Sequence, residues 1–206
     1  MPPLVIVPPR SATAKTWSTT WSPTWWFGAL LALVMLCLAL TCTAGGQPAS
    51  IAAANLERSV KAAYLFKFLG YVEFPAATEA AGPLVVGVLG ADDVATELTR
   101  ITAGKTVNGR PVAVRSLREG EPLAGLQMVF VGAETAVLPK VLRTAAQNGV
   151  LGVTEDENGL QQGAVINFRI VEDRVRFEVS LPAAERSNLK LSSRLLSVAW
   201  HVQKGG

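Results

Sequence analysis

The sequence has little cysteine and little histidine, and both shortages exclude classes of function. Its 206 residues include two cysteines, Cys37 and Cys42, and one histidine, His201. Structural zinc sites need several Cys or His ligands, and a Ser or Cys nucleophile usually needs a histidine base. No G-x-S-x-G motif is present, and no stretch matches the pattern of a calcium loop. We therefore predict no catalytic residues, no metal site and no cofactor, and expect the chain not to be an enzyme.

The first 44 residues lack acidic side chains altogether. They carry only Arg10 and Lys15 as charges, followed by the apolar run WWFGALLALVMLCLAL and then small residues. This order is typical of a secretory signal, so we predict a signal peptide at 1–44, cleaved after Ala44. The alternative is an uncleaved anchor, because the apolar run is only slightly short for a membrane span. After cleavage the chain has no cysteine, and its core must hold it together without a disulfide.

The mature chain also lacks a strong excess of either charge. Removing Arg10 and Lys15 from the 19 basic and 16 acidic residues leaves 17 basic and 16 acidic residues. A nucleic-acid-binding domain would need a basic patch, so we expect no nucleic-acid partner. No internal repeat and no long low-complexity linker occurs after residue 54. The sequence predicts a flexible mature N-terminus at 45–54 and one domain at 55–206.

Three continuous apolar runs alternate with helical patterns along this domain. The runs PLVVGVLG, LQMVFVG and VLGVTE are typical of strands buried on both faces. DDVATELTRITAG and AVLPKVLRTAAQNG have helical spacing and end at glycine. A further strand follows the turn at Asn108 and Gly109.

The segment VINFRIVEDRVRFEVS predicts a β-hairpin that turns at Glu172 and Asp173. Ile166, Phe168 and Ile170 alternate on one strand, and matching apolar residues alternate on the other. The last apolar segment predicts a closing helix capped by Ser192 or Ser193. Together the elements predict an α/β domain with three layers: a mixed, mostly parallel sheet flanked by helices on both faces, with a C-terminal β-hairpin and closing helix.

The stretch NLERSVKAAYLFKFLGYVEFP, residues 55–75, combines a helical pattern with many large apolar residues. Its apolar residues surround most of the predicted helix, which Pro75 ends, and its charges are scattered. A helix lying on a membrane would instead show one broad charged face. We therefore predict a helix over about 57–71 that packs on the sheet and leaves part of its far side for another chain. The candidate partner-binding residues are Tyr64, Phe66, Phe68, Tyr71 and Phe74.

Charged residues supply two further candidate sites. Arg169, Arg174 and Arg176 share the polar face of the hairpin, where they could hold an acidic partner, although a solvated strand face is the commoner arrangement. Asp92 and Asp93 follow a buried strand at the edge where open α/β sheets bind ligands, so they mark a candidate ligand cleft; capping of the next helix is the alternative. The acidic group EDENG, 155–159, has the composition of a solvated turn.

The order of these blocks resembles the YfiR-like periplasmic regulator family over residues 57–200. The blocks that carry the resemblance are VKAAYLFKFLGYVEFP, LVVGVLGADD, GKTVNGRPVAVR, MVFVG, and the segment from VLGVTEDENG to LKLSSRLLSVA. The resemblance implies a protein in the periplasm that binds and represses an inner-membrane signalling protein, namely a diguanylate cyclase or a similar sensor. Such repression limits cyclic-di-GMP signalling and biofilm formation.

The resemblance implies further partners and also has limits. It adds an OmpA-like outer-membrane lipoprotein as a second partner, and a homodimer is another option. The redox-sensitive cysteine pairs of a well-studied member have no counterpart after residue 44, and Ser180 stands where the family often has asparagine. From the residues alone, a periplasmic small-molecule-binding module that acts as a ligand sensor is the alternative function.

Overall fold

A computed structural model describes residues 47–75, 82–133 and 135–205. The predicted signal peptide at 1–44 lies outside the described residues. Residues Pro48–Gly206 form one compact unit, and the described core lies within it. This unit therefore contains the hydrophobic core that a domain needs to fold by itself.

Five helices and ten strands alternate along the described residues. The helices are α1 (Gln47–Phe68), α2 (Asp92–Thr102), α3 (Leu138–Gln147), α4 (Leu181–Arg186) and α5 (Ser193–Val198). The first six strands are β1 (Val72–Glu73), β2 (Leu84–Leu89), β3 (Thr106–Val107), β4 (Arg110–Leu117), β5 (Met128–Val131) and β6 (Leu151–Thr154). The remaining strands are β7 (Ile166–Val171), β8 (Arg174–Ser180), β9 (Lys190–Leu191) and β10 (His201–Gln203).

Eight strands form one mixed sheet in the order β10-β8-β7-β6-β5-β2-β4-β3. The pairs from β4 through β2, β5 and β6 to β7 are parallel, while β7 and β8 form the antiparallel hairpin that the sequence predicted. In the hairpin Phe168 lies opposite Phe177. The chain moves outward from β2 to β4 and then returns to place β5 on the other side of β2. The carboxyl ends of β2 and β5 therefore meet where the strand order reverses, which is where open α/β sheets usually bind ligands.

Helices cover both faces of the sheet, as predicted. On one face α1 and α2 bury Leu65, Phe68 and Leu98, and this cluster also includes Ala183 of α4 and Leu195 of α5. On the other face α3 buries side chains that include Leu138 and Leu142. The opening and closing helices thus contribute to the same core cluster.

The first helix differs from its predicted bounds at both ends. It begins at Gln47, so most of the segment predicted to be flexible, 45–54, is helical; alanine-rich sequence there favours helix. It ends at Phe68 rather than near residue 71, because Gly70 and Tyr71 turn the chain back onto the last residues of the helix. Tyr71 and Phe74 therefore flank the short strand β1, which pairs with β9.

The C-terminal segment also continues beyond the predicted closing helix. Ser192 caps α5, as predicted, by accepting a hydrogen bond from the backbone N–H of Leu195. After α5 the chain forms β10, an edge strand parallel to β8. Ser180, which replaces the family's frequent asparagine, accepts a hydrogen bond from the N–H of Ala183 and caps α4. Because serine and asparagine are both favoured at this position, the substitution is compatible with the same helix start.

Candidate functional site

The middle of α1 lies near the carboxyl ends of parallel strands and is held there by polar contacts. Arg58 Nε donates to Asp93 Oδ2 at 2.8 Å, and Ser59 Oγ donates to Glu97 Oε1 at 2.7 Å. Both acceptors belong to α2, which follows β2. The first helix therefore covers the edge of the sheet at which a ligand would usually enter.

Lys61 is a buried cation in this region. Its ammonium donates to the carboxylates of Glu57, one turn earlier in α1, and Glu155, which directly follows β6. The side chains of Lys61 and Glu155 are only 11% and 19% exposed. Glu155 also accepts a hydrogen bond from the N–H of Ala133, just after β5. One lysine thus joins α1 to the ends of two neighbouring strands, and Glu155 is not the solvated residue that its acidic sequence context predicted.

Charge pairing outweighs burial at these contacts. Burial lowers the pKa of Lys61, but the hydrogen bonds to Glu155 and Glu57 raise it by more, so its pKa lies above the ordinary value. Burial raises the pKa of Asp93, but the hydrogen bond from Arg58 and that from the N–H of Val94 bring it below the ordinary value. Lys61 and Asp93 are therefore charged at neutral pH.

The candidate ligand cleft at Asp92 and Asp93 is occupied in part by the protein itself. Asp93 binds Arg58 and the N–H of Val94, so its carboxylate holds α1 in place. Asp92 is exposed in the first turn of α2. Neither aspartate is the N-cap, which is Ala91. A ligand role for these two residues remains a prediction, and a ligand of Asp93 would have to compete with Arg58.

A larger cavity of about 450 Å³ opens beside Lys61, between α1 and the hairpin. Its walls combine charges of both signs with apolar side chains. The lining residues are Glu57, Lys61, Ala133, Glu155, Glu157, Phe168, Arg169 and Ile170. Arg169 Nη1 donates to the carbonyl of Glu157 at 2.9 Å, which holds the arginine at the rim. A molecule with both charged and apolar groups would find complementary partners here.

The five aromatic candidates have different environments. Phe68 is 1% exposed and packs in the core, with its ring centroid 5.1 Å from that of Phe177. The prediction that Phe68 is available to a partner is therefore wrong: it lies on the side of α1 that faces the sheet. Tyr64, Phe66, Tyr71 and Phe74 are half-buried against the same core and remain candidates.

The most exposed apolar side chains near the hairpin are aliphatic. A groove of about 310 Å³ separates α1 from the hairpin tip, with apolar residues on both walls. Leu56 on the helix is 66% exposed, and Ile170 on the hairpin is 53% exposed. The other lining residues are Ala53, Glu57, Val60, Asp173, Arg174 and Val175. We call this feature the apolar groove.

Sequence reasoning missed both aliphatic residues for a geometric reason. Ile170 alternates with buried residues and Leu56 lies within a helical pattern, so both have the pattern of core positions. They are exposed because each lies where α1 or the hairpin continues beyond the surface that the other element covers. The exposed run at 51–56 shows where α1 leaves the rest of the domain.

The hairpin arginines are arranged as predicted, on one face. Arg169 lies directly opposite Arg176, and Arg174 lies opposite Val171. Arg174 and Arg176 are exposed. Two like charges in directly opposed positions repel each other, so an acidic group placed between them would be favoured. Their role in partner binding remains a prediction.

Within 47–75, 82–133 and 135–205, no three or more His, Cys, Asp or Glu side chains are placed to hold a metal ion. No helix in those same ranges has the length and apolar character required to cross a membrane.

The fold and the site together define an α/β domain with an exposed apolar groove lined in part by Arg174, and such a groove is typical of a binding surface. A family model described as YfiR/HmsC-like matches residues 58–200. The chain therefore belongs to the YfiR/HmsC-like family, as its sequence blocks predicted. Domains of this family are periplasmic and regulatory rather than catalytic, and act on membrane signalling proteins.

Comparison with solved structures confirms the fold. A conserved domain protein from Vibrio cholerae O1 biovar eltor str. N16961 superposes with a TM-score of 0.52 at 9% sequence identity. The match covers 71% of the present chain and 60% of that chain. At this identity the likeness concerns the fold alone. A search of curated proteins found no match.

Two blocks of the family pattern have clear structural roles. In GKTVNGRP, Asn108 and Gly109 both have positive φ, 51° and 77°, which forms the tight turn between β3 and β4. In INF, Asn167 is fully buried next to Gly159, where an added Cβ would lie 2.6 Å from the amide oxygen of Asn167. Glycine at 159 thus lets the loop after β6 close over this amide.

Proposed function

We propose that this chain is a periplasmic regulator that binds a membrane signalling protein and represses it. The specific target that we propose is the periplasmic domain of a diguanylate cyclase, so that binding limits cyclic-di-GMP signalling and biofilm formation. Family membership supports the regulatory class. An N-terminal signal, read from residues 1–44, would supply export. An OmpA-like outer-membrane lipoprotein would relieve the repression by competing for the regulator.

The observation that carries this proposal is the apolar groove. Leu56 and Ile170 expose most of their surface on opposite walls, at a place where the fold offers them no cover. Exposed apolar residues that form a group mark protein interaction sites more often than isolated exposed apolar residues do. Arg174 lines the groove and is itself exposed, so it could pair with an acidic residue of the partner at the rim.

Charge at the groove is expected to weaken partner binding strongly. Ile170→Asp or Leu56→Asp should weaken binding of residues 47–206 to the cyclase's periplasmic domain by about tenfold or more, because each places a carboxylate in the desolvated centre of the interface. Titration calorimetry with the two purified domains measures this affinity.

Ile51→Asp is the matched control for Leu56→Asp. Ile51 lies on the same helix and is 60% exposed, but it is not among the residues that line the groove. We expect Ile51→Asp to change the affinity by about twofold or less. The interface would lie elsewhere if Ile51→Asp and Leu56→Asp reduced the affinity equally, or if neither Leu56→Asp nor Ile170→Asp reduced it.

The second candidate function, a ligand sensor, is favoured by the cavity beside Lys61. In its walls, Lys61 and Arg169 could bind an anionic group and the carboxylates could bind a cationic group. Phe168 and Ile170 add an apolar surface beside them. A ligand that binds only the folded state raises the melting temperature. A thermal-shift screen of small metabolites that contain both a cationic and an anionic group would test this function, with Arg169→Ala expected to reduce any shift.

A further inference from the structure

The C-terminal end of the domain carries a basic and partly apolar surface. Residues 186–206 contain no Asp or Glu but four lysines or arginines. All four are exposed, as are two large apolar residues in the same segment. We call this feature the C-terminal basic surface; it consists of Arg186, Lys190, Arg194, Val198, Trp200 and Lys204.

The elements that carry these residues lie near the β10 edge of the eight-stranded sheet. Helix α4, which ends at Arg186, packs against both β9, which carries Lys190, and β10. Arg194 and Val198 are four residues apart in α5, so they lie on the same face of that helix. The basic side chains thus belong to neighbouring elements.

The two apolar side chains are held on the outside of the protein. The backbone N–H of Trp200 donates to the carbonyl of Phe177 at 2.9 Å, which fixes this residue at the start of the edge strand β10. Its side chain nevertheless remains more than half exposed, at 54%, and that of Val198 is 63% exposed. Tryptophan is an amphipathic side chain that is enriched where a membrane meets water.

Acidic residues of neighbouring elements offset only part of the positive charge. The carboxylate of Glu73 lies 3.8 Å from Lys190 Nζ, with both side chains largely in water. Glu185 is exposed next to Arg186. Glu178 of β8 is half-buried and lies directly opposite His201 of β10. Four basic side chains therefore face three acidic ones, and Arg194 and Lys204 are the basic residues farthest in sequence from these carboxylates.

We propose that the C-terminal basic surface docks on a lipid surface that carries negative charge. Lysine and arginine near such a surface are attracted to anionic headgroups, and an exposed tryptophan can enter the headgroup layer beside them. The basic residues are spread over several elements beside outward-facing apolar side chains, which suits a broad lipid surface. The inference does not depend on the proposed cyclase, because it concerns residues outside the apolar groove.

The test uses residues 47–206 and vesicles of phosphatidylethanolamine with phosphatidylglycerol, compared with vesicles of phosphatidylcholine alone. Trp200 is the one tryptophan in this part of the chain, so its fluorescence reports the proposed contact without a label. We expect its emission to shift to shorter wavelength with the anionic vesicles, and the protein to sediment with them. Raising the salt concentration should weaken both effects, because salt screens the attraction.

The variant Arg194→Glu/Lys204→Glu should reduce the bound fraction by about tenfold or more. Arg118→Glu/Lys140→Glu is the matched control: it makes the same charge change at exposed residues just after β4 and in α3, away from Arg186, and should leave binding unchanged. Equal binding to neutral and anionic vesicles, an unshifted Trp200 emission, or equal losses in both variants would overturn the proposal. The proposal would also be overturned if Arg194→Glu/Lys204→Glu lost binding to a protein partner but still bound anionic vesicles.

Discussion

Replacing Lys61 with alanine is expected to lower the free energy of unfolding by about 3 kcal/mol at neutral pH, because it leaves the half-buried carboxylate of Glu155 without its cation. In the native protein Lys61 joins Glu57 and Glu155, and the three side chains hold α1 over the sheet. Without the ammonium, two carboxylates repel each other in a region that excludes much of the water. Urea denaturation of residues 47–206, followed by circular dichroism, measures the change.

The pH dependence of the Lys61→Ala variant separates charge pairing from lost packing. The hydrogen bonds to Glu155 and Glu57 raise the pKa of Lys61 above its ordinary value of 10.5, so the loss of stability should be present in full below pH 10.5 and should shrink as the pH rises further. A loss caused by packing alone would not change with pH in this way. Lys67→Ala is the control on the same helix, where the lysine is exposed, and should cost at most about 0.5 kcal/mol. A Lys61→Ala loss below about 1 kcal/mol would contradict the role assigned to this lysine.

Replacing Gly132 with alanine is expected to destabilise the domain by about 3 kcal/mol. A Cβ on residue 132 would lie 2.4 Å from the carbonyl oxygen of Gly90. This oxygen belongs to the backbone and cannot move aside as a side chain could. The ends of β2 and β5 are also hydrogen-bonded there, since the N–H of Gly132 donates to the carbonyl of Leu89 at 2.9 Å. Relief would require β2 and β5 to separate at the point where the strand order reverses.

Gly70→Ala is the control for this substitution. An added Cβ on residue 70 meets its nearest atom at 3.6 Å, an ordinary contact, and alanine there should change stability by less than about 1 kcal/mol. Thermal unfolding of both variants provides the measurement. Similar stabilities for the two would mean that the ends of β2 and β5 can move apart at little cost.

Much of the fold could be predicted because its buried elements have regular patterns. The apolar runs of β2, β5 and β6 and the alternation of β7 and β8 each identify a strand without knowledge of its neighbours. Strands β1, β9 and β10 have two or three residues each, which is too short for any periodic signal. The start of α1 was missed because residues 47–54 have no apolar stripe, although alanine favours helix there.

The candidate site was less predictable, because its contacts join residues far apart in sequence. Lys61 and Glu155 are 94 residues apart, and neither has a local feature that identifies its partner. Phe68 and Leu56 show the opposite problem: one is buried and the other exposed, although both are large apolar residues of the same helix. Only the position of the sheet beneath α1 decides which of them a partner could contact.

The most direct test of the proposed function measures cyclic-di-GMP synthesis by the full-length membrane cyclase in nanodiscs, with residues 47–206 added at increasing concentration. The proposal predicts that the rate of synthesis falls by about tenfold or more at saturation. At the concentration at which the wild type half-saturates the cyclase, the Ile170→Asp variant should leave the rate nearly unchanged, and the Ile51→Asp variant should repress like the wild type. An unchanged rate at wild-type concentrations that saturate binding, or full repression by Ile170→Asp, would contradict the account.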